Sequence, residues 1–381
     1  MVIIMHNRNL KLNNFTNLNE KVQKTKNRLT LDSDVSLSDD DELDYIKIDR
    51  NNITIDGRNH CIDADRKAGI FKIAANNVTL KNIVFKNAKS EDGSAIVNEM
   101  GSVNISNCRF EDNESYFDGG AILNLANLRI ENAHFENNTS NLNGGAINNK
   151  GILKAFNCRF ANNSSGNFGG AIFNWKKSYI AGCDFENNHA KRDGGAINNQ
   201  KGMLVVFDTK FNENSSEENG GAVINLDEFD ACNCEFFKNT SDCCGGAICN
   251  NFELRVLNSG FMDNGSEIHG GAISNQNKAI GLVEKSQFNE NHAVEDGGAV
   301  NTFGKIKIEN SDFTKNSSGG KGGALRAQKN SYLYIEEDVE FSENESQMGN
   351  CYSAYAPSVI CDNLPDLVSF HYDYFCVPID R

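Results

Sequence analysis

The sequence predicts an all-β fold: one right-handed parallel β-helix with three short strands in each coil of about 25 residues. Two recurrences and one alternation carry that expectation. The tripeptide Gly-Gly-Ala begins at Gly119, Gly144, Gly169, Gly194, Gly220, Gly245, Gly270, Gly297 and Gly322, in steps of 25 to 27 residues. A degenerate Gly93-Ser94-Ala95 stands 26 residues before the first. The tetrad Phe-x-x-Asn keeps phase with it, running from Phe110/Asn113 to Phe341/Asn344. From Phe110 to Phe313 each Phe stands nine residues ahead of its Gly-Gly, so all length variation falls elsewhere in the coil. Within each repeat, apolar residues alternate with polar ones, as at Val103/Ile105, Leu128/Ile130 and Ile306/Ile308, which is a strand pattern. Strands this short can pair only coil upon coil. The right hand follows from the rule for parallel crossovers.

Taken in order, residues 1–44 read as an N-terminal cap, a short helix plus the first strands. The opening Met1–Asn9 has a brief apolar run followed at once by polar residues, without the core and cleavage site of a secretory leader. Either the protein stays in the cytosol, or the chain is part of a longer secreted one. Phe15, Leu18 and Val22 have helical spacing after a candidate N-cap at Thr16, which predicts a capping helix over residues 15–26. A solenoid needs such caps because its end coils expose unpaired strand edges. The acidic stretch from Ser38 to Glu42 reads as a solvated turn.

Residues 45–345 are the coils. Counting back from each Phe, the seventh and fifth residues are apolar and point inward, as in Leu204/Val206 and Leu254/Val256. The third is mostly Asn (Asn82, Asn107, Asn132, Asn157), a type that tolerates left-handed backbone and so predicts a sharp bend. The second is small, and the Phe itself returns inward on another strand. A polar loop follows, then Gly-Gly allows a tight turn, and Ala-Ile starts the third strand. Stacked coils repeat at about 4.8 Å, so the Phe residues form an internal column. Asn124, Asn149, Asn174, Asn199, Asn225, Asn250 and Asn275 form a ladder of side-chain amides along the axis. The leucine-rich-repeat signature and the nine-residue calcium-binding repeat are both absent. Past residue 345 the repeat ends. Residues 346–381, with Cys351, Cys361, Cys376 and all three Pro, read as an irregular C-terminal cap.

The pairing of Gly-Gly-Ala-Ile with Phe-x-x-Asn resembles the repeat of chlamydial polymorphic outer-membrane proteins. It is also similar to the adhesin-like surface proteins of methanogenic archaea, whose opening coils resemble Ile53–Asp63 followed by Ile70–Ile73. The resemblance spans residues 45–345. It implies a pectate-lyase-like β-helix displayed outside the cell or on its surface and used for attachment.

Composition narrows the partners. A net charge of −15 disfavours nucleic acid and anionic membranes, whose phosphates would repel the chain. No run of about 18 apolar residues exists, so no membrane-spanning helix or membrane insertion is expected. Cys108, Cys158, Cys183 and Cys234 occupy the small inward position before the Phe and read as core. Cys232, Cys234, Cys243, Cys244 and Cys249 are close in sequence, but their spacing matches no paired Cys-x-x-Cys metal site. No metal and no cofactor is expected.

Two outward sets are candidate binding residues. Arg109, His134 and Arg159 precede successive Phe residues and form a cationic stripe that suits an acidic polysaccharide, or else a solvated charged face. Phe156, Tyr179 and Phe207, with Leu257 and Leu282, should face solvent on the first strand, with Trp175 near the preceding turn. Such aromatics stack on sugar rings or anchor a protein, unless loops cover them. Glu111 and Glu136 are the nearest approach to a glycosidase carboxylate pair, with nothing in the sequence to raise one pKa. No catalytic residue is therefore assigned. Asn113, Asn138, Asn163 and their equivalents lie in Asn-x-Ser/Thr sequons on an expected loop, and read as glycan acceptors or as ordinary turn residues. The expectation is a monomeric, adhesin-like or structural solenoid that binds a glycan or a surface protein of a host or neighbouring cell. The alternative is a polysaccharide lyase or glycoside hydrolase on the same fold.

Overall fold

A computed structural model describes residues 14–39, 41–335 and 338–348. Most of the expected C-terminal cap, with its three Cys, lies outside the described residues. So does the opening Met1–Asn9.

The chain winds into a parallel β-solenoid of about 13 turns with 3% helix. In one representative coil, strand Ile122–Asn124 follows the Gly-Gly turn, Asn127–Glu131 is the long strand, and His134–Glu136 carries the Phe. A two-residue strand, Thr139–Ser140, was not foreseen and pairs into a separate 11-stranded ladder. Each strand meets its equivalent in the next coil in parallel register: Ile122 beside Ile147, Leu128 beside Leu153, Phe135 beside Phe160. The inserted residues of the longer coils fall between strands, so register survives them.

Four columns fill or frame the interior. Ring centroids from Phe85 to Phe313 lie 4.5–4.9 Å apart and nearly parallel, which is the strand spacing imposed on the side chains. Ile, Leu and Val of the other strands close round this stack as one continuous buried core. Along one corner, Asn124 Nδ2 donates to Asn149 Oδ1 at 2.6 Å, and the series continues through Asn174, Asn199, Asn225 and Asn250 to Asn275. A second amide column runs from Asn113 to Asn344, each Nδ2 reaching the next Oδ1 at 2.8–3.0 Å. Each of these also donates to a Phe carbonyl of the coil before, as Asn138 does to Phe110 O at 2.9 Å.

The bends obey backbone sterics. Asn107, Asn132 and Asn157 sit at φ +50° to +52°, where Asn is among the few types that rest easily. At the Gly-Gly corner, Gly144 has φ +67°, and a Cβ on Gly145 would overlap the carbonyl oxygens of Gly170 and Ser164. The first glycine is needed for its torsion and the second for the close passage of the next coil.

One end is closed by helix Phe15–Lys24, whose Phe15, Leu18 and Val22 are buried as part of the same core. Its N-cap is Asn14, whose side chain accepts from Asn17 N at 3.0 Å, and not Thr16. Thr16 lies in the first turn, where its N–H and hydroxyl both donate to the Asp41 carboxylate. Asp41 also accepts from Ser38 N and Oγ at 2.8 Å. The acidic stretch therefore ties the helix to the solenoid and is more than a solvated turn.

Candidate functional site

The sequence-predicted site residues fall in three places. The long strands, among them Ile152–Phe156, Lys177–Ala181, Met203–Phe207 and Glu228–Cys232, turn alternate residues outward and build a lateral face. Register sets Phe156, Ala181, Phe207, Cys232 and Leu257 in one outward column. A neighbouring column holds Lys154, Tyr179, Val205, Asp230, Arg255 and Leu282. Phe156 and Phe207 thus flank Ala181, two rungs or about 10 Å apart. They do not stand free in solvent as expected: Phe156, Tyr179 and Phe207 are half-buried. The Arg129 guanidinium lies 4.5 Å over the Phe156 ring and the Lys154 ammonium 5.8 Å from that of Tyr179, so cations cover part of each.

Further along this face burial pushes the Asp230 carboxyl up to about 6 from 3.8, with Arg255 pulling it down and Glu228 and Glu253 adding to the rise. Glu253 is likewise raised, chiefly by burial. The face is amphipathic, an apolar patch rimmed by charges of both signs.

The second set lies round the bend on the Phe-bearing strands, where Arg109, His134 and Arg159 are in register. This cationic stripe is largely compensated. Arg109 Nε pairs with Glu111 at 2.7 Å and Arg159 Nη2 with Glu186 at 2.6 Å. Glu111 and Glu136 are neighbours across the ladder, but the ion pair with Arg109 engages Glu111.

Trp175 belongs to neither set. It stands just past the Asn174 corner, 43% exposed, with its ring 6.1 Å from that of Phe173. Phe173 in turn lies 6.4 Å from Phe168, which carries the Arg192 guanidinium 5.0 Å from its ring. Phe168 and Phe173 are not among the residues the sequence singles out, because neither falls on the Phe-x-x-Asn or long-strand positions. The available signal was their constant offset from Gly-Gly, one residue before and four after its first glycine.

The cysteines divide in the same way. Cys108, Cys158, Cys183 and Cys234 are buried in the main core, and burial pushes the Cys108 and Cys234 thiols up to about 12. Cys232 faces outward on its strand, while Cys244 and Cys249 form a small separate cluster beneath Leu226, Cys243 and Ile268. No three metal-ligand side chains converge among the described residues. The sequon asparagines are not on a solvated loop. Asn113, Asn138 and Asn163 are fully buried, as the second amide column requires.

Coil geometry, single parallel register and stacked columns define a repeat protein of the parallel β-solenoid class. Three stretches, 182–200, 233–251 and 310–328, match the Chlamydia polymorphic membrane protein (Chlamydia_PMP) repeat, and the solenoid is consistent with a repeat protein of that type. A solved structure of alginate lyase AlyF-OU02 in complex with G6 is similar in fold, with TM-score 0.47 and 12% identity over 90% of this chain and 86% of that one. A score that low carries no argument about activity. No curated protein matches the sequence.

Proposed function

We propose that the chain is a non-catalytic, adhesin-like solenoid displayed at a cell surface, and that its lateral face holds a partner along the axis. The carrying observation is the half-buried apolar patch of Phe156, Tyr179, Val205 and Phe207 gathered on one face in register, with the cations of Arg129 and Lys154 over its rings. A chain with mean hydropathy −0.50 gains nothing for solubility by presenting such a patch. The polymorphic-membrane-protein repeats support display outside the cell. The rigid ladder supports a presenting role, because stacked coils hold side chains at fixed intervals without further ordering cost.

The test incubates the purified chain with neutral and acidic polysaccharides and with whole cells, scoring sedimentation and new reducing ends. Attachment without new reducing ends is expected. The double variant Phe156→Ser/Phe207→Ser should lose most of that attachment without unfolding. New reducing ends would make the chain a polysaccharide lyase or glycoside hydrolase. Absence of any attachment, or attachment indifferent to the double variant, would overturn the reading of this face.

A further inference from the structure

On the Gly-Gly corner two rows of residues flank a third, buried row parallel to the axis, and together they outline a groove that their own side chains cover. Its floor is the outward residue of the short strand, four after the first glycine: Leu123, Asn148, Phe173, Asn198, Ile224 and Cys249 in register. One wall is the residue before Gly-Gly, including Asp118, Asn143, Phe168 and Asp193. The other is the residue six after the first glycine, including Lys150 and Trp175. Contacts join wall to wall and to the floor: Lys150 Nζ to Asp118 at 2.9 Å, Phe173 to Trp175, and Gln328 Nε2 to Asp296 and Asn301 at 2.9 Å.

Single buried atoms are unmet elsewhere, among them the hydroxyls of Ser115, Ser140 and Ser165, but the floor differs from the two inner amide columns in leaving whole amides unmet. Both inner amide columns give each buried Asn two or more partners. On the groove floor, Asn148 and Asn198 are 0% exposed, yet neither the Nδ2 nor the Oδ1 of either has a partner. Asn301 Nδ2 further along the floor, and Asn143 Oδ1 on the wall, are also unmet. Buried polar groups in proteins are paired with few exceptions, so two complete amides left empty at equivalent positions call for a ligand.

We propose that this groove binds a linear, uncharged, hydroxyl-rich chain, a neutral oligosaccharide laid along the axis across the coils of Asn148, Phe173 and Asn198. This deepens the adhesin-like reading, on which it rests only for its setting. A hydroxyl both donates and accepts, so it meets both unmet atoms of one amide. Phe168, Phe173 and Trp175 between the two amides supply ring faces of the kind that pack on the apolar side of a pyranose. Asn148 and Asn198 stand two rungs apart, about 10 Å, the reach of two consecutive sugar residues in an extended chain. Asp118 and Asp193 on the wall, in a chain of net charge −15, disfavour an acidic glycan. The cover over Asn148 includes the Lys150–Asp118 pair, whose side chains are 42% and 14% exposed, and the entering chain must displace it.

Trp175 is the chain's single tryptophan, so its emission reports on this site alone. The experiment titrates the full chain with neutral β-linked hexaoses of glucose, xylose and N-acetylglucosamine, and with an oligouronate of equal length. A saturable change in emission is expected with at least one neutral hexaose and none with the oligouronate. Asn148→Ala and Asn198→Ala should each weaken that binding at least tenfold without lowering Tm, because neither amide has a partner to lose. Phe156→Ser/Phe207→Ser should leave the tryptophan response intact. Silence with every neutral hexaose, a response only to the oligouronate, or alanine variants that lower Tm without altering affinity would each overturn the groove proposal. Cell attachment that survives such a result would keep the adhesin-like reading. A tryptophan response without attachment would remove that reading and keep the groove.

Discussion

Replacing Asn163 by Ala tests whether the second amide column holds the coils together. Asn163 is fully buried; its Oδ1 accepts from Asn138 N at 3.1 Å and from Asn138 Nδ2 at 2.9 Å. Its Nδ2 donates to Phe135 O and to Asn188 Oδ1, each at 3.0 Å. The truncation removes all four bonds. Asn138 Nδ2 keeps Phe110 O, and Asn188 Oδ1 keeps the Asn163 backbone N–H. Asn138 N is left without its acceptor in the dry interior. One orphaned buried donor costs about 1–3 kcal/mol and the three remaining bonds about 1 kcal/mol each, which gives about 4–6 kcal/mol in all. In a solenoid each coil contacts only its neighbours, so the loss should concentrate near the coils of Phe135 to Phe185. Urea unfolding followed by Trp175 emission reads that region, and far-UV circular dichroism reads the whole. The emission midpoint should fall further than the dichroism midpoint. Lys177→Ala, at an exposed position, should change stability by no more than about 0.5 kcal/mol. A loss for Asn163→Ala under about 1 kcal/mol would refute the reasoning and leave the phenylalanine column as the main tie.

That column makes its own forecast: Phe185→Ala, between rings at 4.7 and 4.9 Å, should cost about 3–5 kcal/mol in equilibrium unfolding. Phe185→Leu should cost visibly less, and equal costs would argue against ring stacking. Asp230 gives a pH dependence. An acid whose folded pKa is raised contributes stability below its ordinary value of 3.8, and loses it as pH rises through about 6. Wild type should therefore lose up to about 3 kcal/mol relative to Asp230→Asn between about pH 4 and 7, measured by urea midpoints; a flat difference would remove the burial argument. Peptide mass spectrometry of protein made in a glycosylating host should find Asn138 and Asn163 bare, because the ladder leaves no exit for a glycan. A glycopeptide at either would contradict the second amide column.

The fold was legible because its parts repeat. Gly144 and Gly145 announce a turn that only glycine can make. Asn107, Asn132 and Asn157 announce bends, and the phase between Phe and Gly-Gly fixes which faces meet. What repetition does not encode is what lies outside the main core. The asparagine three after each Phe looked like loop chemistry, because a sequon and a buried amide column share the same letters. Thr16 lost the cap to Asn14 by two residues, within the usual blur of helix ends. Arg109 and Arg159 look like a free cationic stripe until side-chain reach brings in Glu111 and Glu186. Phe156 and Phe207 were placed on the right face, but the cation over Phe156 comes from Arg129, a coil earlier, which no local window contains. The groove is not legible in the sequence because its floor position changes residue type from coil to coil, from Leu123 through Asn148 and Phe173 to Ile224.

The register of equivalent coils has a consequence for how such a gene can change. Excising residues 144–168 would join Asn143 to Gly169 and remove one whole coil, so every remaining side chain would keep its face. Excising one residue more or fewer within a strand would turn its inner residues outward. The heritable unit of variation is therefore the whole coil, and unequal recombination between coils that share the same motifs in the same register is a source of it. Lineages could lengthen or shorten the protein like beads on a string, and the groove along the Gly-Gly corner would grow or shrink by one rung at each event. Selection on grip would then act on copy number before it acted on any single residue.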